Sequence, residues 1–323
     1  METLSALDHR LLDEFQRDFP LVPQPFAVMA GALGVTETEV LTRLAALQAA
    51  GVIARVGATV RPNTAGASTL AALRAPEARV AEVAELVGAE PGVNHSYLRE
   101  DEWNLWFVAT APDAAGLADS LARIAARTGL QVLDLPLLRA FNIDLGFRLG
   151  GARVPLGLDA GADMAALREG DRPLLQALAQ GLPLVSRPFA GLLDWPEAAV
   201  IARVRALAQA RILTRVGVIV RHRAIGWAAN AMVVWDVPPA RMAQAGAALA
   251  AHPGVTLCYQ RRTVPGLWHY GLFSMIHGQS RAQANEVLAQ AAALPALQDL
   301  PHKPLFSTRC FKQTGALLHP EAA

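Results

Sequence analysis

The sequence predicts an α+β protein: a tandem repeat in which each copy holds a winged helix-turn-helix followed by a ferredoxin-like βαββαβ domain. Three observations lead there. The first is self-similarity: PLVPQPFAVMA from Pro20 returns as PLVSRPFAGLL from Pro183, and GVIARVGATVRPNTAG from Gly51 returns as ARILTRVGVIVRHRAIG from Ala210. PGVNHSYLRE from Pro91 is answered by PGVTLCYQRR from Pro253, and LLRAFNIDLG from Leu137 by FSTRCFKQTG from Phe306, in the same order. A repeat distance of about 160 residues is too long for a solenoid and suits a duplicated module packed as a pseudo-symmetric pair. Secondly, apolar residues recur at helical spacing early in each copy and alternate later. Thirdly, 323 residues with 53% hydrophobic content are enough for more than one core.

In copy one, Ser5 to Phe15 and Phe26 to Leu33 carry helical spacing. Thr36 with Glu39 forms a capping box that opens a third helix, which Gly51 ends. The alternating VIARVGATV that follows suits a small hairpin, the wing. Beyond Gly66 the pattern reads strand (69–73), helix (76–87), strand (93–98), strand (103–110), helix (114–128) and strand (131–143), a split βαβ arrangement. Copy two repeats the plan, with Pro196-Glu197 opening its third helix and Pro238-Pro239 its first sandwich helix. The expected domains are residues 1–62 and 63–149, a Gly-rich linker at 150–165, then 166–223 and 224–323.

A formal charge of +1 supplies no global field for polyanions, so any basic site is local. Cys258 and Cys310 are too few for a disulfide framework, match no zinc spacing and read as ordinary thiols suited to a reducing cytoplasm. The N-terminal segment lacks the order of a secretion signal, and no run approaches the roughly twenty apolar residues of a membrane helix. A DNA-reading helix needs Arg, Lys, Asn or Gln near its N-terminus. Copy one offers Glu37, Glu39 and a single Arg43, and copy two begins Trp195-Pro196-Glu197 ahead of Arg203, Arg205 and Arg211. Specific DNA binding is not expected.

Three phrases concentrate polar residues. In PGVNHSYLREDEWNLWFV, His95, Tyr97 and Arg99 share one face of a strand, beside Trp103 and Trp106. The plainer reading is a solvated sheet face. In VIVRHRAIGWAANAMVVW, Arg221, His222 and Arg223 lead into Trp227, as an anion pocket or a basic hinge, where copy one has Arg61-Pro62-Asn63. In CYQRRTVPGLWHYGLFSMIHG, Tyr259 and Arg261 answer Tyr97 and Arg99, Leu257 replaces His95, and Arg262, His269 and His277 follow. No phosphate loop, nucleophile elbow, HExxH or CxxC is present. What remains is an aromatic face rimmed by Arg61, Arg99, Arg221, Arg223, Arg261 and Arg262, with histidines able to move protons near neutral pH. The ligand this suggests is flat, apolar at its centre and carboxylated at its edge, as a tetrapyrrole is.

The helix-turn-helix joined to a ferredoxin-like domain resembles the Lrp/AsnC regulators over nearly the whole chain, twice. RVGATVRPNTAG, PGVNHSYLRE and WNLWFV, with VRHRAIGWAANAMVVW, PGVTLCYQRR, PGLWHYGLF and MIHG, more specifically resemble the two subunit types of the siroheme decarboxylases of heme d1 biosynthesis, a denitrification pathway, fused head to tail. The resemblance implies removal of the C12 and C18 acetate carboxyl groups of siroheme to give 12,18-didecarboxysiroheme by a carboxy-lyase with no added cofactor. It carries over His95 and His222 as acid/base groups, with axial ligation of the siroheme iron by one of them as a second role, and no structural metal. Arg61, Tyr97, Arg99, Trp103, Arg221, Arg223, Trp227, Tyr259, Arg261, Arg262 and His269 become substrate contacts. The family's GLWPYNLF phrase departs here at His269 and Gly271, leaving His269 either a wall residue or a third polar group. Siroheme as partner, a cytoplasmic homodimer of fused chains and contact with other heme d1 proteins follow as expectations. A non-catalytic tetrapyrrole carrier or sensor and an Lrp/AsnC-type DNA-binding regulator are the alternatives.

Overall fold

The structure, a computed structural model, describes residues 4–142 and 161–319. Copy one runs α1 (Ala6–Glu14), α2 (Pro25–Leu33), α3 (Glu37–Ala49), β1 (Ile53–Val60), β2 (Ala67–Leu73), α4 (Val80–Gly88), β3 (Val93–Arg99), β4 (Leu105–Ala111), α5 (Ala114–Thr128) and β5 (Leu133–Asn142). Copy two runs α6 (Arg172–Gln180), α7 (Glu197–Gln209), β6 (Leu213–Val220), β7 (Ala229–Trp235), α8 (Met242–Ala251), β8 (Val255–Arg261), β9 (Leu272–Gly278), α9 (Arg281–Ala292) and β10 (His302–Gln313). Most of the expected linker, 150–160, and Ile143 lie outside the described residues. These residues form two compact units, 4–65 with 162–225 and 66–142 with 226–319. Each unit takes one domain from each copy. The divisions after Ala65 and Ile225 fall a few residues past the expected 62 and 223.

The helical unit differs from expectation in two places. VIARVGATV is no hairpin: it is the single strand β1, paired antiparallel with β6 of the other copy. A tight hairpin needs residues at positive φ, and this stretch has none, so the alternation runs straight through. Copy two also lacks a counterpart of α2. Phe26 and Glu37 are 11 positions apart but Phe189 and Glu197 only 8, a deficit close to one helical turn, and Gly191 sits at φ 72 where a helix would have to continue. The capping boxes at Ser5 and Thr36 form as the residue types require.

The β1–β6 ribbon is where the copies interlock. Gly57 stands opposite Gly217 at its centre. A Cβ on Gly57 would lie 2.5 Å from the Leu178 carbonyl oxygen at the end of α6, and one on Gly217 would lie 2.4 Å from the Phe15 and Gln16 oxygens after α1. The first helix of each copy therefore rests its backbone on the strand of the other. Val218 N–H donates to Phe15 O (2.8 Å), and Leu182 N–H to Val56 O (2.7 Å), closing both contacts.

In the second unit the sheets order as β5-β2-β4-β3 and β10-β7-β9-β8, the ferredoxin-like order in each copy. They join edge to edge, β5 with β8 and β10 with β3, into a closed eight-stranded barrel. The outer edges of both sheets are thus paired within the chain. Helices α4 and α5 cover one sheet over Val83, Val93, Phe107 and Ile124, and α8 and α9 cover the other over Phe141, Trp235, Leu249 and Ile276. The barrel interior is a third core of Trp103, Trp106, Leu135, Met232, Trp268 and Phe273. Among the described residues no helix is long and apolar enough to cross a membrane.

Because nothing on the ribbon can yield to a Cβ except backbone, Gly57→Ala and Gly217→Ala are expected to lower stability by about 1–3 kcal/mol or more. Gly31→Ala, in α2 with nothing within 4 Å of the added Cβ, is the control expected to be neutral or slightly stabilising. Urea unfolding midpoints of the three variants check both statements.

Candidate functional site

Inside the barrel the predicted Tyr–Arg pairs are built twice by one rule. Tyr97 lies opposite Trp106, and Tyr259 opposite Phe273, so both tyrosines share the inner face with those rings. The Arg99 guanidinium stands 5.5 Å from the Tyr97 ring and Arg261 5.3 Å from Tyr259. Arg99 Nη1 donates to Leu305 O, and Arg261 Nη1 to Leu135 O, each at 2.9 Å and each across the seam to the other copy's sheet. β3 and β8 are four places apart in the eight-strand order, so the two pairs occupy opposite walls. Burial lowers the Arg261 guanidinium to about 10, with Tyr259 and Asp134 opposing the shift, and its Nε finds no acceptor among the described residues. Burial also pushes the Tyr259 phenol up.

The histidines are less alike than the sequence suggested. His95 begins the same face as Tyr97, its ring stacked 6.4 Å away, just after a bulge between Val93 and His95. Its Nδ1 lies 2.6 Å from Asn94 Oδ1; the Asn94 amide nitrogen donates to Thr110 Oγ1 (3.3 Å), which fixes Oδ1 as acceptor and Nδ1 as the protonated nitrogen. His269 is exposed in the loop between β8 and β9, over Tyr270 (4.1 Å) and 4.0 Å from Asp236 Oδ2, beside a surface concavity of about 340 Å³ lined by residues 263–269. His277, at the end of the same phrase, is buried and bonded to Asn230 and Thr256.

Trp103 sits in the turn before β4, not in the strand, and is a core residue at 1% exposure with Arg74 over its ring at 4.4 Å. Arg262 is exposed and paired with Asp134 at 3.0 Å. Half-buried Trp227 opens the approach to β7. Cys258 is buried with its thiol pushed up, and Cys310 is half-buried, as expected of ordinary thiols.

Arg61, Arg221, His222 and Arg223 belong to the helical unit, and the structure does not gather them. Arg61 N–H donates to Ile212 O and its Nε to Arg211 O, while Arg221 N–H donates to Val52 O. The two arginines therefore close opposite ends of the ribbon. Arg221 keeps a buried Nε with no acceptor among the described residues, and His222 follows in a 3-10 turn with Arg223 exposed beyond it. Burial, then the Arg215 charge, lowers His222 to about 4, so it is neutral at pH 7 in the unliganded chain rather than poised near neutrality. A bound carboxylate would raise it.

The helix arginines weighed for DNA are committed elsewhere. Arg43 binds the buried Asp8 at 2.6 Å, and its repeat counterpart Arg203 binds the buried Asp171. Burial alone would raise both carboxyls, but the arginine and backbone hydrogen bonds outweigh it and hold them below the usual range. The residues missed by sequence reasoning are Asn230, Thr256, Asn94 and Thr110, polar positions whose only signal was their place in otherwise apolar strands.

His222 sets a pH dependence. Its folded-state value lies below the unfolded one, so its contribution is full above about 6.5 and lost as pH falls toward 4. His222→Gln is expected to flatten the stability loss across that window by about 2–3 kcal/mol, read from urea midpoints at pH 7 and 4.5.

The sequence profile described as AsnC-like ligand binding domain matches residues 65–142 and 224–312, and that described as Siroheme decarboxylase NirDL-like HTH domain matches residues 8–53. The siroheme decarboxylase NirDL subunit of Paracoccus denitrificans (strain Pd 1222) is 65% identical over 324 residues, covering 99% of this chain and 100% of that one. The crystal structure of the siroheme decarboxylase NirDL superposes with a TM-score of 0.67 at 28% identity, over 97% of this chain and 94% of the other. The same protein in co-complex with an iron-uroporphyrin III analogue gives 0.65 at 28% identity, over 95% and 93%. With two ligand-binding domains, a matching helix-turn-helix and full-length similarity, this chain belongs to the siroheme decarboxylase NirDL family.

Proposed function

We propose that this siroheme decarboxylase is a carboxy-lyase that removes the carboxyl groups of the C12 and C18 acetate side chains of siroheme and leaves methyl groups, with the iron tetrapyrrole as substrate and no added cofactor. The observation that carries the assignment of the site is the pair of Tyr–Arg units on opposite walls of the barrel, each guanidinium bonded to a backbone carbonyl of the other copy beside an aromatic interior. A macrocycle with carboxylates on its rim matches paired cations at a face of Trp106, Phe273 and Tyr259.

The chemistry balances without an oxidant. A proton delivered to the substituted pyrrole gives the electron pair of the breaking C–CO₂ bond somewhere to go. The methylene carbon then takes a proton as the ring returns its own, for a net exchange of one carbon dioxide for one proton. His95 suits the proton step because Asn94 holds its Nδ1 and fixes the ring beside Tyr97 on the inner face. The same brace suits Nε2 to ligate the substrate's iron, which keeps that second role open. His222, neutral when unliganded, serves first as a base or hydrogen-bond donor and becomes an acid once a carboxylate binds beside it. Arg221 and Arg223, with Arg61 at the other end of the ribbon, are proposed to bind further carboxylates, which contributes binding energy distant from the reacting bond.

Anaerobic incubation with siroheme is expected to give, by mass, loss of one and then two carbon dioxide molecules. His95→Gln and His222→Gln are expected to slow turnover by about 10²–10⁴ while the Soret shift on binding persists. Unchanged siroheme under conditions where the wild type binds it would leave a carrier. No mobility shift is expected on genomic DNA fragments, because Arg43 and Arg203 are held by Asp8 and Asp171.

A further inference from the structure

The two arginine positions of the barrel are alike in backbone and unlike in support. Arg99 Nη1 also donates to Asn230 Oδ1 at 3.3 Å. Asn230 Nδ2 lies 2.8 Å from His277 Nε2, His277 Nδ1 lies 2.9 Å from Thr256 Oγ1, and that hydroxyl donates to Met275 O at 3.1 Å. Direction in this chain is set at one end. A guanidinium has only donors, so Asn230 must turn its oxygen to Arg99 and its amide nitrogen to His277. Nε2 of His277 must then accept, its proton must sit on Nδ1, and Thr256 must accept that proton and pass its own to the backbone. Every hydrogen has one place to go.

At Arg261 the repeat equivalents are small. Ser68 and Thr110 stand where copy two has Asn230 and His277, as the pairings Ala67 with Ala111 and Ala229 with Gly278 fix, and Asn94 stands for Thr256. The Arg261 guanidinium keeps the carbonyl bond to Leu135 but meets no side-chain acceptor among the described residues, where Arg99 has Asn230. On copy one's side the polar groups Asn94 and Thr110 serve His95 instead. The histidine absent at one position of the repeat has reappeared at another.

We propose that Asn230, His277 and Thr256 form a positioning relay that holds Arg99 as a fixed receptor for one substrate carboxylate, whereas Arg261 is an unbraced receptor that adapts to its ligand. The two positions are thereby unequal, and the substrate is held in one orientation across a barrel whose backbone is nearly two-fold symmetric. His277 touches no reacting atom in this account; it acts through Asn230. The inference rests on the reading of the barrel interior as the carboxylate-binding face.

Spectrophotometric titration of the full chain with iron uroporphyrin, a carboxylated porphyrin, tests it by double-mutant cycles. His277→Ala is expected to weaken binding about tenfold, the worth of one hydrogen bond to a charged group. His277→Gln, whose side chain can accept from Asn230, is expected to restore most of it. His277→Ala is expected to add nothing to Arg99→Lys, because its effect runs through that guanidinium, yet to add fully to Arg261→Lys. Additivity with both arginines, or loss of affinity that Gln does not rescue and that follows the unfolding midpoint, would overturn the relay. Should Arg99→Lys and Arg261→Lys both bind as the wild type does, the carboxylate reading of the barrel fails, a different result from failure of the relay alone.

Discussion

The structure depends on one constraint: neither copy can satisfy its own sheet edges. β5 finds β8, β10 finds β3, and β1 finds β6, so every seam between the copies is a ladder of backbone hydrogen bonds. Unpaired strand edges are costly when buried and hazardous when exposed, and closure removes them. Both arginines of the barrel exploit that closure, because each is oriented by a carbonyl that only the other copy's sheet can provide. The helical unit obeys the same logic through steric fit, its central glycines admitting the other copy's first helix.

Much of this was legible. The repeat, the capping box at Thr36, the helix 114–128 and the shared face of His95, Tyr97 and Arg99 follow from period and residue type, and the structure keeps them. The wing was misjudged because alternation specifies a strand and says nothing of its partner; only long-range pairing decides whether VIARVGATV folds on itself or on β6. The missing second helix of copy two was visible as a three-residue deficit between Phe189 and Glu197, obscured by the likeness of PLVPQPFA to PLVSRPFA.

At the site, residue type was legible and environment was not. Arginines on a strand announce cations, but whether Arg61 sits near Arg221 depends on ribbon ends that sequence does not locate. His222 read as a neutral-pH proton carrier, yet burial beside Arg215 holds it uncharged at pH 7. Asn230 and Thr256 escaped notice, and the burial of His277 with them, because one polar residue in an apolar strand resembles a tolerated exception until its partners are seen.

The crossed helices carry a further meaning for biogenesis. When the ribosome has finished the first copy, β1 has no ribbon partner, the outer margins of β3 and β5 are bare, and Gly57 has no helix to receive. Nascent chain in that condition is exposed to sticking to its neighbours until the remainder is translated. Covalent fusion keeps the matching half tethered nearby, so completion becomes an intramolecular event governed by tether length, with no search through the cell for a mate.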